Sequence, residues 1–487
     1  MRPLLLLVIA ALLSAADKPR TGTFTTSFAE RHPEGVYERM RLRYGWGDPE
    51  AGALYDIAKE EFEVTVPADY DGTIPYGLMV FTSAGKGGGA GGYKELLARN
   101  RVIWIGATNV PNERHVGPRW GLSLDAVWNM AKAYRIDPRR IYATGFSGGG
   151  RCASMVAPTY ADVFSGALYL CGCNPPEFPS EKPIGKPIRE LALGNRYALL
   201  TGEKDFNKPG TKTLFDNMRA QGFKHVDYFE QPGLEHAMPS AEWFEKGLRA
   251  VDRPLVEEAK ALVAQGRGLE AKKPYEACRA YRQVIEGYSI AVAERTEALD
   301  RFAAMSPQVD ELLRAELAKL GPASADKQRA FALRAAGFPC ETDAKALADA
   351  TGAKELAAIL AQPGATTPGK LEKFRAAWDG YDCSAKAMEA YDGLAAKALE
   401  PVAAQPAGKR GKALLKLLKD WQPCPTRERT AALLEEDIAP ELDSILALDK
   451  PQARAAKLTA FCKAWPGTAA AVRAEAALKE LTAAPRK

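Results

Sequence analysis

Arg140-Ile141-Tyr142-Ala143-Thr144-Gly145-Phe146-Ser147-Gly148-Gly149-Gly150-Arg151 is the stretch that decides how this chain folds. Ile141 to Thr144 is a short β-prone run, a glycine-flanked serine follows, and small residues able to start a helix come next. Strand, sharp turn and helix in that order put Ser147 at the apex, in a strained backbone conformation with its hydroxyl exposed. The flanking positions must be small because strand and helix nearly touch there, and Gly145 and Gly149 meet that need. With 42 glycines in the chain, a G-x-S-x-G match carries little weight alone, so the order of elements around it has to decide.

Upstream of the turn, Glu61 to Val66 alternates polar with apolar and runs into Pro67-Ala68-Asp69-Tyr70-Asp71-Gly72, which reads as an edge strand entering a hairpin. Gly77 to Phe81 and Val102 to Ile105 are continuous apolar runs, the pattern of strands covered on both faces. Leu122, Ala126, Val127, Met130, Ala131 and Tyr134 recur at helical spacing and end before Asp137-Pro138, where the strand leading to Ser147 begins. Downstream, Pro158 closes the helix behind the serine, and Gly166 to Leu170, Tyr197 to Thr201 and Val226 to Phe229 are further strands. Strand and helix alternate, so the sheet is expected to be mostly parallel with helices on its faces. Thr21 to Gly47, ahead of all this, shows no clear periodicity and reads as an irregular lead-in.

A serine becomes a nucleophile only with a base to take its proton and a carboxylate to hold that base in the right tautomer. Of four histidines, His236 alone lies on a Pro-Gly loop just after a strand; His32, His115 and His225 have no such placement. The loop after Tyr197–Thr201 reads Gly202-Glu203-Lys204-Asp205, which offers Asp205 as the acid with Glu203 as the alternative. Ser147, Asp205 and His236 then follow the Ser, Asp, His chain order of a nucleophile-elbow sheet. The glycine-rich loop Thr82-Ser83-Ala84-Gly85-Lys86-Gly87-Gly88-Gly89 lacks P-loop spacing. At its place in the order it supplies one oxyanion amide, from Ser83 or Ala84, beside the amide of Gly148. This chemistry requires no metal and no organic cofactor.

Composition sets the outer limits. At 487 residues the chain is long enough for two or three domains. Its net charge of +5 comes from nearly balanced acids and bases, which leaves no basic excess to suggest a nucleic-acid partner. Arg2, the apolar run Leu4 to Leu13 and the small residues Ser14-Ala15-Ala16 read as a signal peptide over residues 1–16, so the mature chain is expected to be secreted or periplasmic. That run is about half the ~20 residues a membrane anchor needs, and no later stretch would span a bilayer. Eight scattered cysteines do not form a disulfide scaffold pattern. Cys171-Gly172-Cys173 is too closely spaced for an ordinary bridge and fits no zinc pattern, while Cys152, on the helix after Ser147, reads as a buried apolar thiol.

The segments Asp137 to Gly150 and Ala161-Asp162-Val163-Phe164, with Leu200 to Asp205 and Pro232 to Pro239, resemble the polyhydroxybutyrate depolymerase and feruloyl esterase branch of the α/β-hydrolase superfamily. The resemblance covers about residues 55 to 253. It implies an esterase fold, a Ser-His-Asp site on Ser147, His236 and Asp205, and an ester substrate, monomeric or polymeric. Where many relatives carry His-Gly after the early strand, this chain has Thr82-Ser83-Ala84-Gly85. The elbow does not separate ester from amide, so a peptidase of the prolyl-peptidase kind is the alternative enzyme. An inert hydrolase domain on an interaction scaffold is the alternative of another class.

From Pro254 onward Ala, Leu, Lys and Glu dominate, which divides the mature chain into a catalytic domain at 17–253 and a helical region at 254–487. Leu371, Phe374 and Trp378 share their spacing with Leu414, Leu417 and Trp421 and with Leu458, Phe461 and Trp465, a period of about 43 residues. Each unit offers an aromatic-ended stripe on one helix face that a neighbouring unit must cover. Ala259 to Tyr288 resembles a tetratricopeptide helix pair, and the Pro-Gly segments at 362–369 and 405–408 read as loops. Such an array either docks a protein or polymer partner or serves only to stabilise and space.

Overall fold

The structure is a computed structural model that describes residues 19–176, 185–320 and 324–483; the apolar run at Leu4 to Leu13 lies outside the described residues. The chain forms two compact units that divide between Pro307 and Gln308.

The first unit is built on eight strands: β1 Gly22–Thr26, β2 Phe62–Val66, β3 Tyr76–Thr82, β4 Val102–Ala107, β5 Ile136–Phe146, β6 Gly166–Leu170, β7 Arg196–Gly202 and β8 His225–Gln231. They lie in the order β1-β2-β4-β3-β5-β6-β7-β8. Pairings from β4 through β8 are parallel, and β2 runs antiparallel to both β1 and β4. This is the mixed sheet of an α/β-hydrolase.

Two expectations are corrected here. β2 is not an edge strand, because β1, which falls in the stretch read as irregular, covers its outer side with a five-residue register. Nor does β2 form a hairpin with β3, since β4 is inserted between them. Both follow from burial: β3 is apolar throughout and is satisfied only by strands on both sides, whereas β1, mostly exposed, gives no apolar signal of its own.

Side chains alternate across the sheet and divide its core in two. Leu78 and Val80, with Ile103, Ile105, Ile141 and Ala143, pack on one side. There they meet helices α1 (Tyr37–Tyr44), α3 (Val116–Ala133), α4 (Gly148–Thr159), α5 (Gly185–Gly194) and α6 (Lys208–Ala220). Met79, Trp104, Tyr142, Leu168 and Leu200 face the other side, toward α2 (Lys94–Arg99) and α7 (Ala241–Leu269). α7 does not break at the composition shift near Pro254. Its first half, through Phe244, Leu248 and Val251, joins the sheet core. Its second half, through Leu255, Ala259 and Val263, packs with Ala277, Tyr281 and Val284 of α8 (Pro274–Gly287). α7 is pinned to the sheet by a buried ion pair, in which Arg140 donates through Nε and Nη2 to Asp252, 2.8 Å each, while Tyr142 donates to the same carboxylate at 2.8 Å.

α9 (Val292–Leu320) carries Pro307 at the division between the units. The second unit is a row of helix hairpins: α10 (Ala325–Ala335) with α11 (Glu341–Leu360), α12 (Thr367–Ala377) with α13 (Asp382–Ala403), α14 (Gly411–Asp420) with α15 (Pro425–Leu446), and α16 (Pro451–Ala464) with α17 (Ala469–Ala483). The aromatic-ended stripes are core. Leu371, Phe374 and Trp378 are buried in one cluster, and Leu414, Leu458 and Phe461 in the next, with Trp465 packed against it. The Trp378 indole N–H donates to Glu355 on α11 at 3.1 Å, and that of Trp465 to Glu441 on α15 at 3.2 Å, so the same link recurs between a hairpin and its predecessor.

Candidate active site

Ser147 occupies the turn between β5 and α4 with φ 54° and ψ −117°, a left-handed conformation that a side-chain-bearing residue adopts only under constraint. The constraint is close packing of backbone. A Cβ on Gly149 would collide with the Thr82 carbonyl, and one on Gly145 with the backbone of Gly149, so β3, β5 and α4 meet with no room for side chains. The Ser147 N–H donates to the Leu170 carbonyl at 2.8 Å and its own carbonyl accepts from Arg151 N–H at 3.0 Å. Both backbone groups are committed, and the side chain is left to project from the carboxyl edge of the parallel strands.

The loops after β7 and β8 open at the same edge, and the structure brings all three sequence-predicted residues together. His236 Nε2 lies 2.9 Å from Ser147 Oγ, and His236 Nδ1 lies 2.8 Å from Asp205 Oδ1. Asp205 is buried and also accepts from Thr201 Oγ1 at 2.9 Å and from the Asn207 N–H at 3.0 Å. Burial pushes its pKa up, but the donors from Asn207, His236 and Thr201 outweigh it and hold the carboxyl below the ordinary carboxylate range. Glu203, the alternative acid, is exposed and accepts from the Gly233 N–H at 2.7 Å, bracing the loop that carries His236. The remaining histidines have other work. His32 and His115 accept backbone N–H groups at helix starts, and burial lowers the pKa of His32 to about 4.

Several neighbours of the site carried no recognisable sequence signal. Phe206 is 71% exposed yet lies over the His236 ring at 4.2 Å between centroids, with Phe146 at 5.0 Å from the same ring. Cys171, buried beneath the site with φ 52°, donates its thiol to the Ala237 carbonyl at 3.2 Å; burial and the nearby Asp205 carboxylate hold that thiol well above its ordinary pKa. Asn112, from the loop after β4, sets its carboxamide against the α-carbon of Gly148, and its backbone N–H donates to the Ala84 carbonyl at 3.0 Å. Ser83 and Ala84 adjoin the elbow, where the Ser83 hydroxyl accepts from the Gly85 N–H at 3.1 Å. The glycine loop beyond them is docked rather than free: the Trp104 indole donates to Gly88 at 2.8 Å, and the Gly87 N–H to Thr108 at 2.7 Å. All eight cysteines are free thiols, Cys152 buried on α4 among them. No group of acidic, His and Cys side chains suited to a metal occurs among the described residues.

The first unit has an α/β-hydrolase fold, and helices follow it. No family model matches the chain. Poly(3-hydroxyalkanoate) depolymerase C of Paucimonas lemoignei is 46% identical over 44 residues, which is 9% of this chain and 11% of the depolymerase, so the match spans about a tenth of that relative's length. Among solved structures, esterase Est2 of Thermogutta terrifontis is similar at 16% identity and a TM-score of 0.31, over 42% of this chain and 88% of that one. The S-formylglutathione hydrolase FrmB of Staphylococcus aureus is similar at 13% identity and 0.32, over 49% and 98%. Est1E of Butyrivibrio proteoclasticus is similar at 13% and 0.30, over 39% and 91%. The fold assignment rests on the strand order and the elbow, not on these scores.

Proposed function

We propose that the first unit is a serine hydrolase that cleaves carboxylic esters. One observation carries this reading: a serine held at positive φ, in line with an imidazole at 2.9 Å whose other nitrogen meets a buried carboxylate at 2.8 Å. With the Nδ1 proton held by Asp205, Nε2 is the basic nitrogen and takes the Ser147 proton as Oγ attacks the ester carbonyl. The carbonyl electron pair moves onto oxygen, where backbone amides receive it, and collapse expels the alcohol with the proton returned from Nε2. Water then repeats the sequence on the acyl-enzyme and frees the acid.

The short match to a poly(3-hydroxyalkanoate) depolymerase brings polymeric esters into the substrate range to be tested. The same proposal puts the mature chain in the periplasm or outside the cell, on the strength of the leader sequence, and N-terminal sequencing of exported protein should then find residue 17 at or near the start. The test of activity is hydrolysis of a p-nitrophenyl ester panel together with fluorophosphonate labelling. Ser147→Ala should abolish both, and undiminished hydrolysis by that variant would refute the proposal.

A further inference from the structure

The two oxyanion amides have no visible anchor in the sequence, and the structure supplies one in Arg119 of α3. This guanidinium is 9% exposed, and its hydrogen bonds among the described residues all go to neutral oxygens. Nη2 donates to the Ser83 carbonyl at 3.1 Å and to the Gly148 carbonyl at 3.2 Å, with the Asn112 carboxamide oxygen at 3.5 Å. Nε is buried with no acceptor among the described residues. A buried cation without a carboxylate is costly, so a position that keeps one, centred on the nucleophile turn, calls for a compensating negative charge.

The Ser83 carbonyl that Arg119 holds also bears on which amide of this loop is left to face the reaction. In a trans peptide group the C=O and N–H point in opposite directions. The Thr82 carbonyl is packed against the Gly149 α-carbon, which turns the Ser83 N–H away from the elbow. The Ser83 carbonyl points at Arg119, which turns the Ala84 N–H away from the guanidinium, and the Ala84 carbonyl is in turn fixed by the Asn112 N–H. Among the described hydrogen bonds, neither the Ala84 N–H nor the Gly148 N–H has an acceptor, and Ala84 is partly exposed. Donation from a cation to one end of a peptide group also strengthens the N–H at its other end as a donor.

We propose that Arg119 is a positioning residue of the oxyanion site: it fixes Ala84 N–H as the second donor beside Gly148 N–H, and its buried charge is balanced only when the tetrahedral oxyanion forms. This rests on the serine hydrolase reading above. The Asn112 carboxamide, seated on Gly148, serves as a spacer that keeps the two segments in register.

The experiment compares parent, Arg119→Lys and Arg119→Gln in the full chain, with Ser147→Ala as the control. Each is measured for kcat and KM on a p-nitrophenyl ester and for inhibition by an aryl trifluoromethyl ketone. With that ketone Ser147 Oγ adds to the carbonyl carbon, the π pair becomes an oxyanion, and the serine proton passes to His236. Loss of a preorganised oxyanion donor costs roughly 10²–10³ in rate, so kcat should fall on the order of 10²-fold in Arg119→Gln and the ketone should weaken by a similar factor. KM should move by less than about threefold, because ground-state binding does not use the oxyanion. Arg119→Lys should recover part of that loss, since a single nitrogen, Nη2, donates to both carbonyls and an ammonium also places its donors on one nitrogen. A folded Arg119→Gln with parental kcat, a kcat loss without matching loss of ketone affinity, or failure of both variants to unfold cooperatively would each overturn the proposal. Activity surviving in Ser147→Ala would overturn the underlying reading instead.

Discussion

Glycine does opposite work at the serine turn of the first unit and in the helix hairpins of the second. At the serine turn, Gly145 and Gly149 bring three backbone segments so close that no side chain fits between them, and the one that remains, Ser147, is driven outward to the sheet edge. In the array, Gly352 and Gly411 leave out a Cβ so that a side chain can come in: the ring of Trp378 lies against the first and that of Trp465 against the second. One device exposes a hydroxyl at the cost of strain, and the other buries a large apolar surface with none. Small-residue patterns therefore mean chemistry or packing according to the neighbouring element, strand or helix, and not according to their own composition.

The sharpest way to break that contrast is at the outward-facing residue. Ser147→Ala removes the proposed nucleophile without touching the backbone approach, so ester hydrolysis should fall about 10⁴- to 10⁶-fold while thermal unfolding stays within about 0.5 kcal/mol of the parent. A variant equally inactive but markedly less stable would mean that the turn is structural. Asp205→Asn should cost about 10³- to 10⁴-fold in kcat by leaving the imidazole in the wrong tautomer, whereas Glu203→Gln, which only braces the Gly233 amide, should cost far less. Equal losses in the two would shift the acid's role toward Glu203.

The convergence of Ser147, Asp205 and His236 was legible because each follows a strand that the sheet requires: β5 before Ser147, β7 before Asp205 and β8 before His236. Sheet register does the rest. What could not be read was set by contacts far apart in sequence. In β1 only Phe24 offers an apolar side chain, half-buried against the core between the exposed Thr23 and Thr25, so an edge strand looked like irregular chain. Nothing local in the sequence marks Arg119, because only the fold brings Ser83 and Gly148 to its single nitrogen. Phe206 likewise carries no local mark, although its ring lies against that of His236. The array stripes were legible as a period, but only their burial against neighbouring hairpins identifies them as core.

Electrostatics sharpen the comparison further, because the first unit ties α7 to its sheet side with buried charge. Asp252→Ala strands Arg140, which is fully buried, and should destabilise the first unit by about 3–5 kcal/mol. Hydrogen exchange resolved by peptide should show the loss in the sheet and leave peptides of 325–483 unchanged; equal loosening in both would show the units to be one cooperative body. Glu245 gives a smaller, pH-dependent effect. Hydrogen bonds from Arg99, opposed by burial and helped by Asn100 and Arg249, lower its pKa from the ordinary 4.5 to about 2. A lowered folded-state pKa means that its contribution is full above pH 4.5 and is lost as pH falls toward 2. Glu245→Gln should therefore flatten the acid dependence of the first unit, on the order of 1 kcal/mol once screening around the half-exposed Arg99 is allowed for.

The finest test sets two glycines of the array against each other. Gly393 lies exposed in α13 with open space where a Cβ would be, while Gly352 is buried in α11. A Cβ at Gly352 would fall 2.5 Å from the Cys383 sulfur and 3.0 Å from the Trp378 ring. Replacing either by alanine gains the same helix propensity, about 1 kcal/mol. Only Gly352→Ala must also push apart a packed indole and thiol, an overpacking cost of about 1–3 kcal/mol. Gly393→Ala should thus raise the stability of its hairpin and Gly352→Ala should stand lower by that cost, with ester hydrolysis unchanged in both, as measured by denaturant titration of the two variants side by side. If both alanines stabilised equally, the missing Cβ at Gly352 would not be what admits Trp378, and the inward use of glycine that sets this unit apart from the serine turn would have to be abandoned.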